Sequence, residues 1–323
     1  MRVDLIPTET WDRLNVNVGR IWPKLQEGHL RVHGGLPMAV SESAMGLAQL
    51  FSHKRSVAVI KGNSWIFDGI IPWFLRETYN VQSISLSDLK TSEQIQAWTQ
   101  GLNKDTVFAL FAEDHPLTGE TWPWRELDET LNRQKIFSLR VSHSAFLRDP
   151  AEAVLPFSCR FCTVGDNLAV SLSGTRLKLQ APVSSSLVWE TQAVEQTTER
   201  RLQEGCDEKV VLDFEAQFPE QRFFVAEAPR VFDRAVLVFK DVSGEALLRR
   251  LAAKLAIAPA FGGLMDTANL CRWDSLRLYR GWWTDAPHED VLRGLVTFSM
   301  ELLKRNGFAK ALRDEYDVLR RGH

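Results

Sequence analysis

Short apolar runs rich in β-branched residues alternate along this chain with segments of about ten residues that have helical periodicity. The clearest runs are Ser56–Ile60, Asp105–Ala112 and Ile136–Val141, and Gln82–Leu86 is a fourth. Runs of this length and composition are typical of buried strands. Strands that alternate with helices predict a mostly parallel sheet flanked by helices, and therefore an α/β fold.

Further segments complete this pattern in the first part of the chain. Residues 1–30 carry one apolar face, which predicts a helix that ends before His33-Gly34-Gly35, and a second helix is expected over Ser41–Phe51. Leu168–Leu172 is expected to be a buried strand that runs into a turn at Ser173-Gly174. Three other helices are expected, over Trp65–Arg76, Ser92–Leu102 and Trp122–Leu131.

The second part of the chain predicts a smaller α+β domain. Residues 223–240 contain two apolar runs that are expected to be strands. We therefore expect a large α/β domain in residues 1–190 and a smaller α+β domain in residues 191–323. The helices expected in this second part are Gln192–Gln203, Gly244–Leu255 and Asp285–Asn306.

Composition limits the classes of function. The 323 residues are 45% hydrophobic and 25% charged, which is ordinary for a soluble globular protein. A formal net charge of −2 argues against nucleic-acid binding, which needs a basic surface. No apolar run approaches the roughly 20 residues that span a bilayer. Asp4 and Glu9 interrupt the region where a signal peptide would have its apolar core. We therefore expect a cytoplasmic protein without a membrane segment.

The four cysteines are too few to predict a disulfide-stabilised scaffold. Cys159 and Cys162 form a lone Cys-x-x-Cys pair with no second pair elsewhere in the chain. A zinc site of this kind normally needs two such pairs, so we expect small buried or half-buried thiols and no metal.

The segment Ser171-Leu172-Ser173-Gly174 resembles the Ser-x-Ser-Lys segment that carries the Schiff-base lysine in fold-type I pyridoxal-phosphate enzymes, the aminotransferase class. Other segments resemble motifs of that family in the same order along nearly the whole chain. They are the phosphate cup at Lys61–Trp65, the Asn-Pro-Thr-Gly loop at Asp114–Gly119, the Asp-x-Ala-Tyr motif at His143–Phe146, the turn at Ala258–Gly262 and the substrate-arginine strand at Ser275–Leu278.

The resemblance implies a set of site residues. The cofactor phosphate would be bound by Gly62, Asn63 and Ser64, and the substrate carboxylate by Arg277. The remaining cofactor contacts would come from Asp114, Ser171 and Ser173.

Three positions depart from the family pattern. Gly174 occupies the lysine position, and Lys178 is the nearest lysine. His143 occupies the position of the aspartate that makes the pyridine ring an electron sink, and histidine carries no fixed negative charge. Asp114 or His115 replaces the asparagine. Tyr79 is also the only aromatic residue near the position of the ring that stacks on the cofactor.

These departures predict an aminotransferase-fold protein that has lost pyridoxal-phosphate catalysis. In that interpretation no cofactor is bound, and the protein binds a small anion or a protein partner. A second interpretation is an active pyridoxal-phosphate enzyme that uses Lys178. A third is an enzyme with other acid–base chemistry, in which His33, His115, His143 and Asp114 take part.

A homodimer is also expected, because the family builds each active site from two subunits. Aromatic residues are enriched at the centres of interfaces. The chain offers five tryptophans as interface anchors, namely Trp22, Trp65, Trp73, Trp282 and Trp283.

Overall fold

The computed structural model describes residues 29–33, 36–61, 65–114, 119–142, 154–165, 168–177, 206–224, 229–255, 264–265 and 293–322. These residues fall into two compact units. The first lies within residues 1–114 and 122–203, and the second within residues 115–121 and 204–323. The chain therefore enters the second unit briefly after Asp114 and returns at Trp122, whereas the sequence suggested one boundary near residue 190.

The first unit contains a seven-stranded sheet in the order β1-β7-β6-β5-β4-β2-β3. Strands β2 to β6 run parallel to their neighbours, and β7 is antiparallel to both β6 and β1. The expected α/β class with a mostly parallel sheet is confirmed. The strands are β1 (His29–His33), β2 (Ser56–Lys61), β3 (Asn80–Ser85), β4 (Thr106–Ala112), β5 (Phe137–Ser142), β6 (Ser158–Gly165) and β7 (Leu168–Ser173).

Helices cover both faces of this sheet. The third of them begins with a capping box, in which the Thr91 hydroxyl accepts from the Gln94 amide and the Gln94 side chain accepts from the Thr91 amide. The strands that they cover carry continuous apolar runs, because a central parallel strand is buried on both sides. The helices are α1 (Leu36–Leu50), α2 (Trp65–Arg76), α3 (Ser92–Gln100) and α4 (Trp124–Arg133).

The second unit contains a small antiparallel sheet in the order β8-β10-β9. Some of its buried apolar side chains pack with those of the neighbouring helices into a cluster that includes Phe214, Phe239 and Phe298, and Val236, Val238 and Leu295 form a second cluster. The strands are β8 (Arg234–Val238), β9 (Leu264–Met265) and β10 (Leu295–Ser299), and the helices are α5 (Glu208–Glu215), α6 (Gly244–Leu255), α7 (Met300–Leu303) and α8 (Phe308–Arg321).

Several predicted elements need correction. The helix expected over Asp285–Asn306 is wrong, because Leu295–Ser299 is a buried strand paired with β8. Its β-branched and aromatic residues favour a strand, and pairing in the sheet overrides the helical periodicity. Residues 29–30 begin β1 instead of ending a helix. Strand β6 was missed, because Arg160 interrupts its apolar pattern.

Among the described residues, no helix is long and apolar enough to cross a membrane. The segments expected at Gln192–Gln203, Ala258–Gly262 and Ser275–Leu278 lie outside the described residues.

Candidate functional site at the carboxyl edge of the large sheet

The strand order changes direction at β2. The next strand along the chain, β3, lies on one side of β2, and the following strand, β4, lies on its other side. In open α/β sheets, ligands bind outside the carboxyl ends of the strands at such a topological switch point. The carboxyl ends of β2 and β4 therefore define the first candidate site, which we call the switch point.

Lys61 and Trp122 lie at the switch point. Lys61 is the last residue of β2 and is exposed. Trp122 is half-buried, and its indole N–H donates a 2.7 Å hydrogen bond to the carbonyl oxygen of Ala112, the last residue of β4. The Trp122 ring also makes an edge contact with Phe111, with centroids 5.9 Å apart. The switch point therefore offers one flexible cation and one fixed aromatic ring.

The orientation of the Ala112 carbonyl shows where Trp122 lies relative to β2 and β4. The amide of Glu113 donates a 2.7 Å hydrogen bond to Val141 on β5. The C=O and N–H of one trans peptide group point in opposite directions, so the Ala112 carbonyl points away from β5 and toward β2. The indole N–H of Trp122 consequently lies between the ends of β4 and β2.

A buried charge cluster lies next to the switch point, and we call Glu113, Arg140, Arg160 and Asp128 the buried quartet. Glu113 accepts from Arg160 at 3.0 Å and faces Arg140 at 3.2 Å. Arg140 also lies 3.6 Å from Asp128 on α4. All four side chains are at most 3% exposed. Two positive and two negative charges thus neutralise each other inside the sheet–helix interface.

The buried quartet also makes hydrogen bonds with two serines and an aromatic contact with Trp124. The hydroxyls of Ser138 and Ser158 both donate to Asp128, the second at 2.6 Å. The Arg140 guanidinium lies 4.8 Å from the centre of the Trp124 ring, which covers it from α4. Buried ion pairs need such additional hydrogen bonds to offset the loss of hydration.

Burial alone would raise the pKa of Glu113, but the guanidinium groups of Arg160 and Arg140 and hydrogen bonds from Ser142 and Arg160 outweigh it, so the pKa lies below its ordinary value. Glu113 is therefore ionised at neutral pH. Because the whole carboxylate is enclosed, it fixes the end of β4 and is closed to a ligand.

The cysteines behave as expected of small buried groups. Cys159 and Cys162 are both buried, and neither forms a disulfide. Residues three apart on a strand point to opposite faces, so this pair cannot share a ligand or form a disulfide. Burial raises the pKa of Cys162 to about 12, which leaves it protonated. Within the described part of the chain, no group of three or more histidine, cysteine or acidic residues could bind a metal.

Ser173 and Gly174 lie at the opposite edge of the sheet. Because β7 is antiparallel, its last residue, Ser173, pairs with Cys159 at the start of β6. The amide of Gly174 donates to the carbonyl of Ser158, and that of Leu177 donates to Gly174. A strand of six residues spans roughly 20 Å, so Ser173 and Asp114 are not brought together as the resemblance suggested.

Gly174 is a glycine for a packing reason. A Cβ atom placed on it would lie 2.8 Å from the carbonyl oxygen of Pro156 and closer still to that of Leu155. Such a separation is too short for any side chain, and the obstacle is backbone. The interpretation of Gly174 as the site of a lost lysine is therefore not supported by its position.

Ser171 and His33 are brought together, although not at the switch point. The Ser171 hydroxyl lies 2.8 Å from His33 Nε2, and His33 Nδ1 lies 3.5 Å from Glu42 on α1. Strands β7, β6 and β5 separate β1 from β4, so four strand spacings, roughly 19 Å in all, lie between His33 and Asp114. The expected acid–base group of His33 with Asp114 is not formed.

Asp114 is the second residue after β4 and is 1% exposed. Tyr79, the aromatic residue that remained near the expected stacking position, is buried before the start of β3, and its hydroxyl donates to Ala48 at 3.0 Å. It is therefore at the wrong edge for a ligand at the switch point. The other expected site residues, which are Gly62, Asn63, Ser64, His115, His143, Lys178 and Arg277, lie outside the described residues.

Sequence reasoning missed Trp122 and the buried quartet. Trp122 was assigned only as the start of a helix, and its place after the Asp114–Gly119 loop was the available signal. Arg140 and Arg160 each interrupt an apolar run, and a charge at the centre of a buried strand is a signal for a buried partner.

No protein-family model matches the chain, and no curated protein sequence matches it significantly. Solved structures, by contrast, superpose on the chain. A NifS-like protein superposes with a TM-score of 0.67 at 11% identity, over 97% of this chain and 88% of that one. Cysteine desulfurase CsdA from Escherichia coli gives 0.62 at 11%, over 97% and 84%. Histidinol-phosphate aminotransferase from Clostridium acetobutylicum gives 0.58 at 12%, over 99% and 91%.

These structures are fold-type I pyridoxal-phosphate-dependent enzymes, and the chain has their fold. This finding overturns the expectation that no cofactor is bound, because pyridoxal phosphate is the expected cofactor of proteins with this fold. One of the three departures behind that expectation was Gly174, which lies at the opposite edge of the sheet from Asp114.

The exposed groups at the switch point fit such a cofactor. Lys61 carries a compact positive charge suited to a phosphate, and Trp122 is a half-buried aromatic residue of a type suited to contact with a planar ring. The side chains of the buried quartet are at most 3% exposed, which leaves them little surface for ligand contact.

Proposed function

We propose that this protein binds pyridoxal phosphate at the switch point and does not catalyse ordinary transamination. The coincidence of Lys61 and Trp122 at the carboxyl ends of β2 and β4 is the observation that carries this proposal. When bound, pyridoxal phosphate supplies an electrophilic aldehyde and a ring that accepts electrons. In this chain Lys61 would contribute positive charge, and Gly62, Asn63 and Ser64 would contribute hydrogen-bond donors.

The loss of transamination is supported by the residue that follows β5. The family resemblance assigns His143 to the position of the aspartate that faces the ring nitrogen. Glu113, whose amide bonds to Val141 near the end of β5, is enclosed between two arginines and cannot replace it. Without a fixed negative charge beside the nitrogen, the ring is a poor electron sink. The protein would then act as a ligand-binding pseudoenzyme.

Lys61 favours a second candidate function, an active pyridoxal-phosphate enzyme that attaches the cofactor through this lysine. Lys61 is exposed at the switch point, whereas the chain enters residue 178 from Leu177 at the opposite edge. An active enzyme built on Lys61 is therefore better supported than one built on Lys178.

Titration with pyridoxal phosphate tests the proposal. We expect a change in the absorbance of the cofactor and a rise in the melting temperature of the protein. A hundredfold excess over Kd adds about 2.7 kcal/mol to the free energy of unfolding. Absence of both signals would contradict cofactor binding.

Reduction with borohydride separates the two candidates. In the pseudoenzyme, mass spectrometry finds no pyridoxyl group on any lysine, and added amino acids leave the cofactor spectrum unchanged. In the active enzyme, one lysine carries the reduced group and amino acids convert the cofactor to its amine form.

We also infer a homodimer, as expected from the family resemblance. Light scattering at micromolar concentration should then give twice the 36.8 kDa mass of the chain. A mass of one chain that persists with bound cofactor would contradict the dimer.

A further inference from the structure

Trp122 is held in one orientation at the carboxyl end of β4. Its indole N–H is fixed by the 2.7 Å hydrogen bond to Ala112, and its ring makes an almost perpendicular contact with Phe111, at 82°. A side chain held by two contacts loses little conformational entropy when a ligand binds. The indole is therefore prepared for contact before any ligand arrives.

The position of Trp122 suits a planar ligand. The Ala112 carbonyl points toward β2, so the indole lies between the end of β4 and the end of β2, the strand whose last residue is Lys61. A half-buried ring keeps part of its surface open to solvent, and an aromatic ligand gains by covering it. The neighbouring cation at Lys61 suits an anionic substituent on the same ligand.

We propose that Trp122 is the residue on which the ring of the bound ligand stacks, so that the switch point selects phosphorylated heteroaromatic compounds over simple phosphates. The inference depends on the proposed function, because it assigns a role in the same site. Trp122, and not Tyr79, would have this role, because Tyr79 is buried at the amino end of β3 and donates its hydroxyl to Ala48.

Binding by Trp122→Ala and Trp122→Phe tests this role. The probes are pyridoxal phosphate and inorganic phosphate, each titrated against the full-length protein by calorimetry. Aromatic stacking is worth enough to change Kd about tenfold. We expect Trp122→Ala to weaken pyridoxal phosphate about tenfold and to leave inorganic phosphate within about twofold. Trp122→Phe keeps a ring and should recover most of the loss.

Tryptophan fluorescence gives a second readout that does not depend on affinity. A pyridoxal ring stacked on an indole quenches its emission, because the cofactor absorbs where tryptophan emits. Saturating pyridoxal phosphate should therefore quench the wild-type protein more than Trp122→Phe. Trp98→Phe is the matched control, since Trp98 is also half-buried but lies near the end of α3, where the chain leads to the amino end of β4.

The outcomes are distinguishable. Failure of the wild-type protein to bind pyridoxal phosphate would contradict the proposed function. Normal binding by Trp122→Ala, or equal quenching in Trp122→Phe and the wild type, would overturn the role of Trp122 and leave cofactor binding standing. Melting curves without ligand show whether Trp122→Ala has lost its fold, and in that case the comparison of Trp122→Phe with Trp98→Phe decides.

Discussion

The two edges of the seven-stranded sheet are built in different ways. At the carboxyl edge, the exposed Lys61 and the half-buried Trp122 lie at the ends of β2 and β4, and the buried Glu113 beside them is paired with Arg140 and Arg160. At the amino edge, backbone packs directly on backbone at Gly174, with no room for a side chain. The carboxyl edge therefore has side chains available for ligand contact, whereas the amino edge at Gly174 is filled by backbone packing.

Glu113→Ala should destabilise the protein at the carboxyl edge and cause the largest loss in the free energy of unfolding. The change leaves Arg140 and Arg160 in the interior without their carboxylate, and removal of one partner of a buried ion pair costs about 3–5 kcal/mol. Urea denaturation should show this loss in the free energy of unfolding. Glu129→Ala is the control, because Glu129 is exposed on α4. A similar small loss in both variants would show that the quartet is not a stabilising unit.

Gly174→Ala should destabilise the protein at the amino edge, by less than Glu113→Ala does. The added methyl group meets the carbonyls of Leu155 and Pro156, and overpacking costs about 1–3 kcal/mol. Gly101→Ala is the matched control, because its Cβ would meet Trp98 at an ordinary 3.4 Å. Thermal unfolding of both variants measures the difference. Equal melting temperatures would mean that the contact at Gly174 relaxes without cost.

Gly174→Lys should not create a site for the cofactor, because the backbone of Leu155 and Pro156 leaves no room for a side chain at this position.

The contrast between the edges also explains what the sequence could predict. The apolar runs of β2 and β4 reveal buried parallel strands, because burial on both faces leaves few polar positions. Strand β6 was missed because Arg160 belongs to the quartet, and its partner Glu113 is far away in the sequence. A long-range ion pair leaves no local pattern.

The site was misplaced for a related reason. A motif such as Ser171–Gly174 shows that a strand ends, but not in which direction the strand runs. Only the pairing of β7 with β6 shows that this end faces away from Asp114. Trp122 became recognisable only when its hydrogen bond to Ala112 placed it at the switch point.

Acid should affect the carboxyl edge, because Glu113, which lies there, is a buried carboxylate with a lowered pKa. The pKa of Glu113 is lower in the folded state than its ordinary value of 4.5, so its contribution to stability is complete above pH 4.5 and is lost as the pH falls through the folded pKa. The free energy of unfolding should therefore decrease below pH 4.5, and less steeply in Glu113→Gln. Identical pH profiles for the two proteins would contradict this assignment.

Ser171→Ala should have the smallest effect, since it lies between the edges and removes a single hydrogen bond. The Ser171 hydroxyl contacts His33 Nε2 at 2.8 Å, and both residues are buried. Loss of one such bond costs about 1 kcal/mol, including the penalty for the imidazole nitrogen left behind. Denaturant unfolding measures it, with Ser83→Ala on the exposed side of β3 as the control. Because Ser171 is remote from the switch point, its removal should leave the Kd for pyridoxal phosphate within about twofold of the wild type, which is well under the tenfold that one lost aromatic contact would cause. A larger change would place Ser171 in the ligand site, as the family resemblance first suggested, and would weaken the distinction between the two edges.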